Sequence, residues 1–141
     1  DWHLLDRPLH AGLRTYVQDL NRLYAAEPSL HEVDFEPAGF QWIDCNDSDN
    51  SVVSFIRRAR DGSDFVVAIA NFTPVPRQGY RIGVPLEGSY LESLNSDSEA
   101  YGGGNVGNAG VVVTEAIAAH GHAHSLRLHL PPLGMLILKR R

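Results

Sequence analysis

The stretch "FTPVPRQGYRIGVP", residues 72–85, reads as two pieces of β-strand that two prolines interrupt. Proline lacks an N–H donor and has a fixed φ angle, so it is tolerated only at the edges of sheets. Pro74 and Pro76 stand at alternate positions, and one edge of this stretch therefore cannot join a ladder. We predict that residues 73–79 cross from one sheet to another and that strand pairing resumes at Tyr80.

The sequence around this crossing has the two-residue period of strands. Segments rich in β-branched and aromatic residues, each bounded by turn residues, predict eight strands near 40–45, 51–59, 64–71, 79–84, 88–95, 111–117, 124–130 and 133–139. "DFVVAIANF", residues 64–72, is apolar at successive positions, which predicts a central strand covered on both faces. We expect a mainly β fold, an antiparallel, Greek-key-like β-sandwich.

Two further patterns refine this expectation. In "SLRLHL", residues 125–130, clean alternation predicts that the leucines point inward and that Arg127 and His129 point outward. Likewise Tyr80, Ile82 and Val84 are expected to share one face. The pair Asp61-Gly62 between two strand-like runs predicts a hairpin with a tight turn, because both residues accept a positive φ.

Before residue 35 the period is that of a helix. Apolar residues recur every three or four positions from Leu9 to Tyr24, which predicts one amphipathic helix of about four turns. We expect a single apolar face formed by Leu13, Tyr16, Val17, Leu20, Leu23 and Tyr24. Pro8 suits the start of this helix, and Pro28 ends it by about Glu27.

Composition excludes several classes of function. The 141 residues carry a net charge of −5, which leaves no positive surplus for binding nucleic acid. No apolar run approaches the roughly 20 residues of a membrane span. The only cysteine, Cys45, cannot form an internal disulfide, and no signal peptide is evident, which favours the cytoplasm. The abrupt start at Asp1 suggests a piece of a larger protein.

Two motifs have some features of ligand sites but are more typical of a loop and a turn. "GGGNVG", residues 102–107, matches G-x-G-x-x-G, yet strand-like sequence follows it where a dinucleotide site needs a helix. We expect a glycine-rich surface loop. In "HGHAH", residues 120–124, three histidines at alternate positions would share one side of a strand. A fourth ligand and a carboxylate partner are missing, so we expect a solvated turn, with no metal and no cofactor.

The pattern of acidic and aromatic residues does not predict an active site either. "DCNDSDN", residues 44–50, lacks the glycine and the closing glutamate of a calcium loop, and we expect a hairpin connection. No pair of carboxylates has a spacing that predicts a common cleft, as glycoside chemistry requires. A G-x-S-x-G nucleophile elbow is also missing. Five aromatic residues could stack on sugars, although core positions are the commoner use of such residues: Trp2, Trp42, Tyr80, Tyr90 and Tyr101.

Long stretches of the chain resemble the C-terminal part of bacterial 1,4-α-glucan (glycogen) branching enzymes, which belong to the α-amylase superfamily. The resemblance is strongest in "NFTPVPRQGYRIGVP", residues 71–85, and extends over nearly the whole chain in the order of the family. The other stretches that carry it are residues 1–6, 19–24, 30–44, 94–110 and 124–138. His122 is a departure, because we expect the family to tolerate other residues there.

The resemblance implies two segments with different origins. Residues 1–33 would be the end of a (β/α)8 catalytic barrel, including its last helix, and residues 34–141 the C-terminal all-β domain. The family transfers α-1,4-glucan segments to form α-1,6 branches, through a nucleophile and an acid/base that would lie upstream of Asp1. No catalytic residue is therefore expected in this chain. Trp2 and His3, after the last barrel strand, are the candidates for contact with glucan.

Three hypotheses follow for the chain itself. It has a structural role, packing against its own catalytic barrel and stabilising it. Alternatively, it is a glucan-binding β-sandwich whose exposed aromatic residues hold glycogen chains. A third possibility is self-association through the apolar face of the helix, which has lost part of its cover.

Overall fold

The computed structural model describes residues 1–141 and contains one α-helix and eight strands. A 3-10 turn, Trp2–Asp6, leads into helix α1, Pro8–Ala26, and further 3-10 turns follow at Pro28–Leu30, Pro37–Gly39 and Glu99–Tyr101. The strands are β1 Phe40–Asp47, β2 Val52–Arg58, β3 Phe65–Asn71, β4 Arg77–Val84, β5 Ser89–Asn95, β6 Val111–Val113, β7 His124–Leu130 and β8 Gly134–Arg140. The helix is too polar to span a membrane.

The strands form two sheets of unequal size. The large sheet has the order β1-β2-β3-β8-β5-β6 and the small sheet pairs β4 with β7, and every pairing is antiparallel. Strand β8 returns to lie between β3 and β5, the kind of long return connection that a Greek key uses. The predicted mainly β antiparallel sandwich, preceded by one helix, is confirmed.

The proline-containing stretch crosses between the sheets as predicted. Strand β3 belongs to the large sheet and β4 to the small one. Pairing begins at Arg77, slightly earlier than expected, with an irregularity before Tyr80. The buried amide of Asn71 donates to the carbonyl oxygens of Val75 and Pro131 at 2.9 Å each, which ties this crossing to the other crossing, between β7 and β8.

The main core lies between the two sheets. The alternation predicted in β7 is confirmed, since Leu126, Leu128 and Leu130 are fully buried whereas Arg127 and His129 are exposed. These leucines and Ile82 and Val84 of β4 meet the inner face of the large sheet, which contributes Val52, Ile56, Val67, Ile69, Leu136 and Leu138. The small sheet therefore covers the inner face, with Tyr80 and Val112 only partly buried against the core.

Helix α1 lies on the outer face of the large sheet. Tyr16, Leu20 and Leu23 pack against a second cluster that Val66, Leu94 and Ile137 form on strands β3, β5 and β8. Strand β3 is thus covered on both faces, as its sequence predicts. The division of the chain between residues 33 and 34 into two domains stays a prediction.

Two local expectations were wrong in part: the hairpin between β2 and β3 forms, but without the tight turn, and β6 is shorter than predicted. The connection between β2 and β3 is a six-residue loop, 59–64, in which the Asp61 carboxylate accepts from the backbone N–H of Ser63, and Gly62 has no positive φ. Strand β6 ends at Val113 instead of continuing to residue 117. From Thr114 onward the chain leaves the large sheet, and Glu115 bridges to Ser125 of β7 in the small one.

Candidate functional site

None of the four surface pockets has the acids of a glycosidase. They are open and range from about 350 to 580 Å³, and each is lined by at most one carboxylate. A retaining mechanism needs two carboxylates about 5–5.5 Å apart across a cleft. The pockets therefore hold no acid pair for that chemistry.

The three histidines of "HGHAH" do not share one side of a strand. His120 and Gly121 both have positive φ angles, 49° and 78°, and form the tip of a tight turn that Ala119 and His122 close. His120 uses its Nδ1 to accept the backbone N–H of Gly83 at 3.0 Å. Its Nε2 lies 3.4 Å from the Asp44 carboxylate, so the expectation that no carboxylate partner is near was wrong. Burial lowers the pKa of His122. No group of three or more metal-ligating side chains converges here or elsewhere in the chain.

The glycine-rich loop is organised around a carboxylate of its own. Asp97 accepts hydrogen bonds from the backbone N–H groups of Gly104 and Val106, at 3.0 and 2.9 Å. Backbone N–H groups that would cradle a phosphate in a nucleotide site are thus already paired inside the loop. The expectation of a surface loop is confirmed, and its internal order comes from Asp97.

The acidic run begins inside β1 and ends in the hairpin connection to β2, as expected. Asp47 accepts from Asn50 and, at 2.6 Å, from the hydroxyl group of Tyr80 on β4. The hydrogen bond from Tyr80 is the main reason that the pKa of Asp47 is lowered. The pKa of Tyr80 is raised, first by burial and second by its hydrogen bond to the Asp47 carboxylate. This contact joins the large sheet to the small one.

Most of the aromatic candidates for sugar stacking are used inside the fold. Tyr90 is fully buried, and burial raises its pKa to about 12. Tyr101 contacts Tyr16 of α1 edge to face, with ring centroids 5.2 Å apart. Burial, together with the hydrogen bond to Asp19, raises the pKa of Tyr101 to about 12. Only the two tryptophans remain open to solvent, Trp2 at 83% and Trp42 at 50% exposure.

Trp2 and His3 lie in the 3-10 turn before α1. Trp2 lines an apolar groove of about 580 Å³ with Leu13 and Val17 of the helix, whereas His3 does not line it. The backbone N–H of His3 donates to the Asp1 carboxylate at 3.2 Å. A glucan contact by these two residues stays a prediction.

Helix α1 is fixed to the sandwich at its N-terminal half by close packing. Gly12 faces the backbone of Tyr101 so closely that a Cβ at this position would collide with the Tyr101 carbonyl. The hydroxyl group of Tyr101 donates to Asp19 at 3.0 Å. The loop between β5 and β6 therefore holds one flank of the helix.

The C-terminal end of α1 and the following linker are held by charged side chains. Lys139 of β8 donates to Glu27 at 2.6 Å and also to Asp64. Burial alone would lower the pKa of Lys139, but these two hydrogen bonds outweigh it and raise the pKa. Arg57 of β2 bonds to Asp34 and to the carbonyl oxygens of Leu30 and Gly39. The helix and the sandwich are thus joined along the whole linker.

The apolar face predicted for α1 is divided into two flanks. Gly12, Tyr16 and Leu23 face the sandwich, whereas Leu13, Val17 and Tyr24 are exposed. At about 100° per residue, the second set lies roughly a quarter turn around the axis from Tyr16 and Leu23. The predicted residues therefore do share one wide apolar face, but only half of this face is covered.

Sequence reasoning missed an aromatic cluster on the outer face of β1 and β2. Phe40 and Phe55 stack at 5.3 Å, and Trp42 stands edge-on to both. Phe72, in the crossing after β3, is also largely exposed. The alternation of Phe40 and Trp42 at the start of β1 is a signal that could have predicted a shared face.

Comparison with known proteins identifies the sandwich. Residues 42–141 match the family model described as the alpha amylase, C-terminal all-beta domain. The chain is 54% identical over 99% of its length to the 1,4-alpha-glucan branching enzyme GlgB of Paramagnetospirillum magneticum, and 56% identical over 98% to that of Aromatoleum aromaticum. It is 53% identical over 100% of its length to the enzyme of Rubrobacter xylanophilus.

These matches occupy a small part of the relatives. The chain spans 19%, 22% and 19% of the three enzymes, about a fifth of their length. The family model covers the two sheets, and the near-complete matches to the enzymes include helix α1 as well. The chain belongs to the alpha-amylase C-terminal all-beta domain family, in the form similar to that of bacterial glycogen branching enzymes.

Proposed function

We propose that this chain is the C-terminal part of a 1,4-α-glucan branching enzyme and stabilises the catalytic part of that enzyme. The intact protein would cleave α-1,4-glucan and transfer the released segment to a 6-hydroxyl group in glycogen synthesis. The observation that carries this proposal is identity above 50% over 98% or more of the chain to such enzymes, of which it spans only about a fifth.

The surface of the chain supports a structural role. Its pockets contain no pair of carboxylates, whereas an apolar flank of α1 and an aromatic cluster on β1 and β2 are exposed. Large exposed apolar patches mark interaction surfaces in soluble proteins. The enzyme's own catalytic barrel is the partner we propose. The single cysteine, Cys45, favours the cytoplasm as its compartment.

Amylose treated with the pure chain and with the full-length protein tests this assignment. Branching shortens the unbranched helical segments that bind iodine, so the full-length protein should lower iodine absorbance over time. The isolated chain should leave the absorbance unchanged. Time-dependent branching by the chain alone, or no branching by the full-length protein, would contradict the proposal.

A second candidate function is glucan binding at the groove beside Trp2. The observation that favours it is the exposure of the Trp2 indole beside apolar residues, since sugar rings stack on such surfaces. Electrophoresis in a gel that contains glycogen measures it. Retardation that Trp2→Ala abolishes and His3→Ala weakens would support binding, and an unchanged mobility of the unmodified chain would exclude it at useful affinity.

Self-association of the isolated chain is a further consequence of the same exposure. Leu13 and Val17 would meet their counterparts in a second copy when no barrel covers them. Sedimentation velocity over a range of concentrations should show a dimer that Leu13→Glu dissociates. A strict monomer at the highest concentration would refute this proposal.

A further inference from the structure

The outer face of the large sheet is covered over only part of its width. Helix α1 lies over β3 and β8, where Tyr16 meets Ala70 and Met135 and where Leu23 meets the cluster around Val66. On the side of β5, the loop that contains Tyr101 closes against the helix. On the side of β1 and β2, the linker contacts Arg57 and, through His31, the ring of Tyr24. Phe40 and Trp42 stay exposed there, whereas Phe55 is half-buried.

The exposed flank of α1 borders this uncovered area. Tyr101 holds the flank of the helix that carries Gly12 and Asp19. By helical phase, Val17 and Tyr24 lie on the opposite flank, and they therefore face the side of β1 and β2. Helix flank and strands form a corner, which we name the β1–β2 corner: its wall is Leu13, Val17 and Tyr24, and its floor is Phe40, Trp42 and Phe55.

Phe72 lies between helix α1 and the end of β2. It lines one pocket with Tyr16 of α1 and a second pocket with Val53 of β2. Val53, Phe55 and Arg57 alternate along β2 and share its outer face, because Arg57 reaches the linker on that side. Phe72 therefore links the sheet-facing side of α1 to the outer face of β2 near Val53.

The corner has the width of one helix. Neighbouring strands are about 4.7–4.9 Å apart. The line midway between β1 and β2 is two strand spacings, roughly 10 Å, from the line midway between β3 and β8, over which α1 lies. Helices that pack side by side have interaxial distances of about 8–10 Å. A second helix over β1 and β2 would thus contact both the sheet and the exposed flank of α1.

We propose that the β1–β2 corner binds one amphipathic helix from the part of the intact enzyme that this chain lacks. This rests on the proposed function, because roughly four-fifths of the length of the related enzymes lies outside the match. The occupant would present apolar residues at intervals of three and four to Val17 and Trp42. It would complete a layer of two helices on the outer face.

The shape of the aromatic floor favours binding of the side chains of a helix over binding of a sugar ring. Trp42 stands at 88° to Phe40 and at 84° to Phe55, so the rings form a wedge with clefts between them. A pyranose ring stacks on a flat aromatic face, whereas leucine or isoleucine side chains of a helix fill clefts of this kind. Among the three floor side chains, the indole N–H of Trp42 is the only group that could hydrogen-bond to sugar hydroxyls.

Photo-crosslinking in the full-length protein tests this proposal. Trp42 is replaced by the photo-reactive benzoyl-phenylalanine, and Val113, exposed at the opposite edge of the sheet, receives the same replacement as a control. We expect Trp42 to cross-link to one peptide upstream of Asp1 whose apolar residues recur every three or four positions. Val113 should not cross-link to that peptide. No upstream cross-link at Trp42, or one to a peptide without this period, overturns the proposal.

A matched pair of charge substitutions provides a second measurement. In the full-length protein Val17→Glu should lower the midpoint of thermal unfolding by about 4 °C or more, since an unpaired carboxylate would be buried. Val113→Glu should shift it by less than about 2 °C, as exposed positions do. In the isolated chain, at a concentration where it is monomeric, both shifts should be small. Equal shifts of both variants in the full-length protein would overturn the proposal.

Glucan is the alternative occupant that these experiments detect. If position 42 forms no upstream cross-link but cross-links to maltoheptaose when this sugar is added, the corner binds sugar and the helix proposal is wrong. A full-length protein that branches amylose but shows no upstream cross-link leaves the proposed function intact and removes only this inference.

Discussion

The two faces of the large sheet differ in how completely the chain covers them. On the inner face, the leucines of β7 and Ile82 and Val84 of β4 are fully buried, and Tyr80 and Val112 are partly buried. On the outer face, α1 covers β3 and β8, while Val17, Trp42 and Phe40 remain open to solvent. The inner face is therefore a core of this chain, and in the proposed function the outer face is half of an interface.

Apolar residues on the two faces of the large sheet contribute differently to the free energy of folding of the isolated chain. Burial of apolar surface on the inner face contributes to the free energy of folding of the chain itself. Exposed apolar residues on the outer face contribute little until a partner covers them. Substitutions on the two faces should therefore have very different effects in the isolated chain.

The largest effect is expected from truncation of an inner-face leucine. Leu128→Ala should lower the free energy of unfolding by about 2–5 kcal/mol, because it leaves a cavity in a closed core. Leu13→Ala, on the exposed flank of α1 with 59% of its surface open, should cost less than about 1 kcal/mol. Urea unfolding of both variants measures this. Equal losses would show that the outer flank is already part of a core.

Helix α1 provides the next test, through its close approach to Tyr101. Gly12→Ala places a Cβ against the Tyr101 carbonyl and should cost about 1–3 kcal/mol, since helix and loop must separate. Gly62→Ala is the control, because no atom lies within 4 Å of a Cβ there. If Gly12→Ala is as stable as Gly62→Ala by urea unfolding, the contact with Tyr101 does not hold α1 on the sheet.

The contact between Tyr80 and Asp47 predicts a pH dependence. The folded-state pKa of Asp47 is lowered, so the stabilisation is fully present above the unfolded pKa of about 4 and is lost as the pH falls through the folded value. Tyr80→Phe should therefore cost about 1–2 kcal/mol at neutral pH and progressively less in acid. Urea unfolding from about pH 7 to about pH 2 measures it. A loss that stays constant with pH would exclude this role of Asp47.

The smallest expected effect is a stabilisation, in contrast to the losses of stability predicted above. Ser29, in the turn after α1, has a buried hydroxyl group without a hydrogen-bond partner. Ser29→Ala should raise the free energy of unfolding by up to about 1 kcal/mol, because a desolvated polar group disappears. Ser125→Ala is the matched control and should be destabilising, since the Ser125 hydroxyl accepts from Arg81 at 2.8 Å. Destabilisation by both substitutions would mean that Ser29 has a partner.

The inner face could be predicted from the sequence because it depends on local periodicity. Alternation in β7, the continuous apolar run of β3 and the prolines of the crossing each identify a strand or its end, and all three predictions are confirmed. The resemblance to branching enzymes rested on long stretches with the same residues, and the comparisons bear it out.

The outer face could not be predicted in the same way. Periodicity shows that α1 is amphipathic, but which flank meets the sheet depends on Gly12 and Tyr101, which are 89 residues apart in the chain. The order of the glycine-rich loop depends on Asp97, which precedes the motif. Such contacts between distant residues leave no periodic signal.

Hydrogen–deuterium exchange of the isolated chain and of the full-length protein tests the central claim most directly. If the outer face is half of an interface, backbone amides of α1 and β1 should exchange more slowly in the full-length protein, whereas those of β4 and β7 should exchange at similar relative rates in both. Equal exchange of α1 and β1 in the two proteins would contradict this claim.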